Sequence, residues 1–334
     1  MLADARADIS PVRYPLMGRD RNQNRLITLY LPRSQWPFRW RDVDAETCRR
    51  YRQFISAELS SPGDAIISGA ALSRRFTPAA AQALRDSLES FGFRRFHVIL
   101  YLRDPADYYI SDMQQMLKGS DATAPMGLHP KAFRYRMRRM TETWEHVFPD
   151  SLVVRKFPAK SESDITADFS ALVYEFFGIS LPRIPERMNS SISAEAMQII
   201  QDYRLAFSPD DGGILTPDAA ELVRFMQQSQ AQVVQTKPVL KPEVAQCIRA
   251  NHRTDGDFIK LHYGVDLGLT ESQSTDLELG DNYRVGDLVE SLDPEILYEL
   301  LLRLAKSDLG KAPAKRSLAR RAASRAYRAI RNRS

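Results

Sequence analysis

The residues best placed to do chemistry surround Arg103. It is the first polar residue after the apolar run VILYL, and Ser111 follows eight positions later, one or two turns into the helix that Asp104-Pro105 opens. In open parallel sheets, ligands sit at the carboxyl ends of the strands, where helix starts offer unpaired N–H groups and a positive dipole end to anions. An arginine at that point can grip a phosphate bidentately, and a serine hydroxyl from the adjoining helix adds one more hydrogen bond. The same residues admit a reading without function, in which Arg103 pairs with Asp104 or Asp107, Asp104 is a helix cap and Ser111 a neutral helix residue.

Other candidates are weaker. His97 falls inside the expected buried strand and reads as a packed histidine, and His129 reads as an exposed loop histidine at a helix start. His252 and His262 are ten apart on different expected helices, without metal-ligand spacing. Cys48 and Cys247 belong to no Cys-x-x-Cys pair and read as reduced thiols. Neither G-x-x-x-x-G-K-[ST] nor G-x-G-x-x-G occurs, and Gly310-Lys311 follows a helix rather than a strand.

The elements that must position Arg103 alternate between strand and helix. DAIISG (Asp64 to Gly69) reads as a short buried strand, and Thr77-Pro78 supplies an N-cap and an N1 proline for the helix AAAQALRDSLESFG. RFHVILYL reads as a strand covered on both faces, and SLVVRKF from Ser151 as a third. Helices are expected from Asp104-Pro105 to Lys118, from about Pro130 to Phe148, and through DITADFSALVYEFFG to a stop at Gly178, with a loop from Leu181 to Pro185. Others should follow Ser193, Thr216-Pro217 and Lys241-Pro242 and run from Pro294 to Lys306. The β-α-β-α order predicts an α/β fold: a parallel sheet flanked by helices, followed by a helical C-terminal portion.

With 43% hydrophobic and 27% charged residues, the composition is that of a globular chain and excludes wholesale disorder. No apolar run reaches eighteen residues, and the first twenty carry acids and arginines, so the sequence reads as a cytoplasmic protein. The net charge of +5 is uneven: nine Lys or Arg and no acid lie from Lys311 onward, leaving 38 basic against 42 acidic residues before it. That tail reads as a mildly amphipathic basic helix for an anionic surface or as a solvated tail, and nucleic acid has no motif support.

The stretch YLRDPADYYISDMQQMLKG resembles the element with which sulfotransferases bind the 3′-phosphate of 3′-phosphoadenosine-5′-phosphosulfate, PAPS. In bacterial sulfotransferase-like proteins that element often continues into a Gln and a Lys before a glycine, as Gln115, Lys118 and Gly119 do here. Weaker likenesses are Tyr14-Pro15, LVVRKF, the helix ending FFGI, RMNSSIS and FIKLHYG, so the resemblance spans about Val12 to Gly264. It implies a P-loop nucleotide-binding type of α/β domain over residues 1–270, a helical segment over 271–310 and the basic tail over 311–334. It also implies PAPS as co-substrate, no metal, Arg103 and Ser111 on the 3′-phosphate with Lys118 close by, and Arg187 and Asn189 reaching the nucleotide if RMNSSIS closes over it. Otherwise Asn189 and Ser193 cap the next helix.

The chain departs from that family's pattern in two respects. A first strand and a loop such as Lys-Ser-Gly-Thr-Thr, which would hold the 5′-phosphosulfate, are not found, and MLADARADISPVRYP reads as the end of the helix after such a loop. The sheet is therefore expected to lack one strand and to present an edge. Ser68-Gly69-Ala70 stands where related sequences often carry Ser-Glu, and no catalytic base is nominated. Two functions follow. One is transfer of a sulfuryl group from PAPS to a hydroxyl of a carbohydrate or glycolipid, peripherally at the inner face of the membrane; the other is a truncated or degenerate, non-catalytic fold acting as an interaction protein.

Overall fold

The structure, a computed structural model, describes residues 12–18, 22–37, 40–119, 128–158, 165–181, 191–207, 214–229, 237–269 and 277–307. Helices α1 (Ile27–Tyr30), α2 (Ala45–Ser60), α3 (Ala70–Arg75) and α4 (Pro78–Ser90) precede strand β1 (Val98–Leu102). Then come α5 (Pro105–Lys118), α6 (Met137–Val147), strand β2 (Leu152–Lys156) and α7 (Ile165–Phe177). The rest is helical: α8 (Ala194–Phe207), α9 (Pro217–Ser229), α10 (Pro242–Asn251), α11 (Arg253–Tyr263), α12 (Val285–Leu288) and α13 (Pro294–Lys306). The chain folds as two compact units, one from residues 1–103, 136–186 and 254–268, the other from 104–135, 187–253 and 269–334.

The first unit carries the sheet. β1 and β2 run parallel in a register that pairs Val98 with Leu152 and Leu102 with Lys156, and helices flank them, as an α/β fold requires. Thr77 and Pro78 start α4 as their types predict, the threonine side chain accepting from Ala80 N at 3.2 Å. Asp44 caps α2 in the same way, accepting from Thr47 N at 2.6 Å. Tyr51, Ile55 and Leu59 recur every four residues along α2 and are buried with Phe76, Leu84, Trp144 and Phe148 in one apolar core. Each such side chain contributes about 2 kcal/mol by leaving water.

The expected strand at Asp64–Gly69 is reduced to one parallel bridge between Arg13 and Ala65, so among the described residues the parallel ladder has two strands and not three. The cause is Pro15. Arg13 N donates to Asp64 O (2.9 Å) and Ile66 N to Arg13 O (2.8 Å), but the next donor on that side would be residue 15, and proline has none. The amide of Gln23, 1% exposed, fills the lost rung: its Nε2 donates to Pro15 O and its Oε1 accepts from Ser68 N, both at 2.6 Å. Val12 to Tyr14 are thus extended rather than the end of a helix, and residues 1–11 lie outside the described ones.

In the second unit α8 is buried almost from end to end, and α9, α12 and α13 pack on it. Its polar residues form a row at three-residue steps, and each takes up helix-terminal groups of a neighbour. Glu195 Oε1 accepts from Asp293 N (2.8 Å), the N-cap of α13, while Gln198 and Gln201 accept from Gly286 N (2.8 Å) and Val285 N (2.7 Å) at the start of α12. Arg204, fully buried, donates to Met116, Leu117 and Gly119 O at 2.9 to 3.2 Å and so closes the C-terminus of α5.

The long helix expected from Pro130 begins only at Met137. Residues 130–132 form a turn in which Ala132 N and Phe133 N bond His129 O, and Tyr135 N donates to the buried His252 Nε2 at 2.7 Å. A backbone N–H spent on a distant ring cannot join a helical ladder.

Candidate functional site at the end of the first strand

β1 ends at Leu102, fully buried, and Leu102 O accepts from Phe157 N at 2.6 Å, one rung beyond β2. Arg103 follows at the carboxyl end of the parallel pair, where the sequence places it. Its guanidinium lies over the Phe157 ring, 4.0 Å from the centroid. It is half-buried, and no carboxylate among the described residues pairs with it. Its N–H donors lie in the guanidinium plane, so a ring against one face leaves them open to an oxyanion.

Asp104 is a helix cap, as its position suggests: Oδ1 accepts from Ala106 N (2.8 Å) and Asp107 N (3.1 Å). Its Oδ2 accepts from Arg249 Nε at 2.8 Å, so the partner of Asp104 is Arg249 and not Arg103. The N-terminus of α5 therefore already holds a carboxylate, and the open cationic group at the end of the strand is Arg103.

Ser111 lies in the second turn of α5, half-buried, its hydroxyl without a hydrogen bond among the described residues. Lys118 is the last residue of that helix, and burial pushes its ammonium below the usual lysine range. Arg187 and Asn189 lie outside the described residues. Ser193 does cap α8, accepting from Ala196 N at 3.2 Å.

The histidines offer no base here. His97 precedes β1 instead of lying within it, is exposed, and stacks on Phe176 with centroids 4.0 Å apart, the apolar run closing over the backbone only from Val98. His129 is half-buried, not exposed: its Nδ1 accepts from Lys131 N, which leaves Nε2–H to donate to Leu279 O, both at 3.2 Å. His252 is buried, with Nδ1 at 2.6 Å from Ile248 O, and His262 is exposed on α11. Tyr101, also on β1, donates to Asp168 Oδ2 at 2.5 Å, and burial together with that carboxylate pushes its pKa far up, so it stays a phenol. Sequence reasoning missed Phe157 and Asp168, since the first is found only through strand register and the second through a contact across 67 residues.

A cleft of about 710 Å³ in the second unit is bordered by Lys241, Glu243, Glu278, Asp281, Tyr283 and Asp287. Four carboxylates against one ammonium give it the wrong sign for a phosphorylated ligand. Among the described residues no three His, Cys, Asp or Glu gather into a metal-holding group, and no helix is long and apolar enough to cross a membrane. No family model matches the chain, and neither a curated protein nor a solved structure matches it.

Proposed function

We propose that the chain binds a 3′-phosphorylated adenine nucleotide, with Arg103 meeting the 3′-phosphate, and that its reaction is sulfuryl transfer from PAPS to a hydroxyl of a carbohydrate or glycolipid. The observation that carries this reading is the half-buried Arg103 at the carboxyl end of β1, stacked on Phe157, with no described acid on its donors. A planar fork open along its edge fits a dianionic phosphate better than a monoanion, and the fit is bidentate. The resemblance of YLRDPADYYISDMQQMLKG to the 3′-phosphate element supports the same role for Arg103. PAPS, when bound, brings its own leaving group; the part of this chain in the reading is to hold and orient the nucleotide.

The test is calorimetric titration of the full chain with adenosine 3′,5′-bisphosphate against 5′-AMP, with Arg103→Ala alongside. The bisphosphate is expected to bind at least tenfold more tightly than 5′-AMP. Arg103→Ala should weaken it roughly 10- to 100-fold, the range of charge-assisted hydrogen bonds, with the melting temperature held. A folded chain that binds neither nucleotide would overturn the proposal and leave an interaction protein as the reading.

A further inference from the structure

The Phe157 ring lies under the Arg103 guanidinium, and the backbone holds it there. Its N–H donates to Leu102 O at 2.6 Å, which carries the parallel ladder one rung past Lys156 and leaves Phe157 and Arg103 next to each other at the strand ends. The 4.0 Å from the guanidinium carbon to the ring centroid is a face contact. Such a contact restricts the long arginine side chain without using any N–H donor. A carboxylate partner would also restrict it, but would occupy the donors and cancel the charge.

We infer that Phe157 is a positioning residue for oxyanion binding: its ring holds the Arg103 guanidinium flat, so that the free edge of the fork meets two oxygens of one phosphate. This rests on the proposed role of Arg103 and adds to it the device that orients the fork. Removing the ring while keeping an apolar side chain should leave the fold intact and cost binding. Replacing it by another aromatic ring should restore binding, which a purely structural role for Phe157 does not demand.

The experiment uses the full chain as wild type, Phe157→Leu, Phe157→Tyr and the Phe157→Leu/Arg103→Ala double variant. The first readout is the NMR signal of Arg103 Nε–H in arginine-labelled protein, assigned with Arg103→Ala. The second is affinity for adenosine 3′,5′-bisphosphate. Stacking predicts an upfield Nε–H signal in the wild type and in Phe157→Tyr that returns to the ordinary arginine position in Phe157→Leu. Affinity should fall roughly five- to tenfold in Phe157→Leu, the scale of a partly desolvated cation–π contact, recover in Phe157→Tyr, and fall no further when Phe157→Leu is added to Arg103→Ala. Equal losses from Phe157→Leu with and without Arg103 would overturn the inference, as would an unmoved signal.

If the nucleotide fails to bind the wild type, the proposed function falls, and the orientation device is judged on inorganic phosphate and pyrophosphate alone. A shift of Arg103 Nε–H on adding either anion, present in the wild type and Phe157→Tyr and lost in Phe157→Leu, would sustain it. No shift in the wild type would end it.

Discussion

Arg103 and Asp104 are neighbours with opposite fates. Asp104 has each carboxylate oxygen engaged, one on the first turn of α5 and one on Arg249, whereas Arg103 has an aromatic face and, among the described residues, no carboxylate on its donors. A residue type alone does not separate these outcomes; what lies within reach does. The same holds for Tyr283, whose phenol burial pushes up to about 12 from its ordinary 10.0. Between those values the folded chain keeps a proton that the unfolded chain has lost, so the contribution of this group is complete below pH 10.0 and is lost as pH rises toward 12. Denaturant midpoints measured from pH about 8 to about 11 should therefore fall, and less steeply in Tyr283→Phe. An unchanged slope in that variant would mean that the phenol is not held protonated by the fold.

At the scale of elements, what the sequence made legible is what short-range chemistry decides. Pro78, Pro105, Pro217, Pro242 and Pro294 each stand at the start of a helix where the sequence puts it, and α7 stops at Gly178, whose φ of 68° suits glycine. Arg103, Ser111 and Lys118 could be placed on a strand end and a helix for the same reason. Illegible were the arrangements made by partners far along the chain. The amide of Gln23 takes the rung that Pro15 leaves open beside Ser68, 45 residues away, and the Glu195, Gln198, Gln201 and Arg204 row serves helix ends 84 to 98 residues distant. Nor did periodicity reveal that Tyr135 N is taken by His252, which delays α6. Asp104 combines the two kinds of information and gives a graded test. Asp104→Asn keeps a capping oxygen and loses the ion pair with Arg249, and should cost well under 1 kcal/mol, since that pair is partly exposed. Asp104→Ala loses the cap as well and should cost about 1 to 2 kcal/mol in chemical denaturation. Equal costs for the two would show that the cap adds nothing to α5.

For the whole molecule, the decisive fact is that neither compact unit is a continuous stretch of chain. The chain passes from one unit to the other five times, first between Arg103 and Asp104. The consequence is sharpest for the first unit: β1 precedes that crossing, while β2, the strand paired with it among the described residues, and the core residues Trp144, Val147 and Phe148 come after the next one. A fragment of residues 1–135 would hold α4 without the α6 it packs on, a core without Trp144, Val147 and Phe148, and a lone strand with its ladder groups open. A single strand without partners has no independent stability in water. The fragment is therefore expected to show no cooperative thermal transition by circular dichroism and to gain protected amides only when mixed with residues 136–334, whose β2 and α6 complete its sheet and core. A cooperative melt of the fragment alone would mean that the N-terminal helices form a self-sufficient core. Arg103 would then stand at the exposed end of an unpaired strand, without the Phe157 ring that orients it.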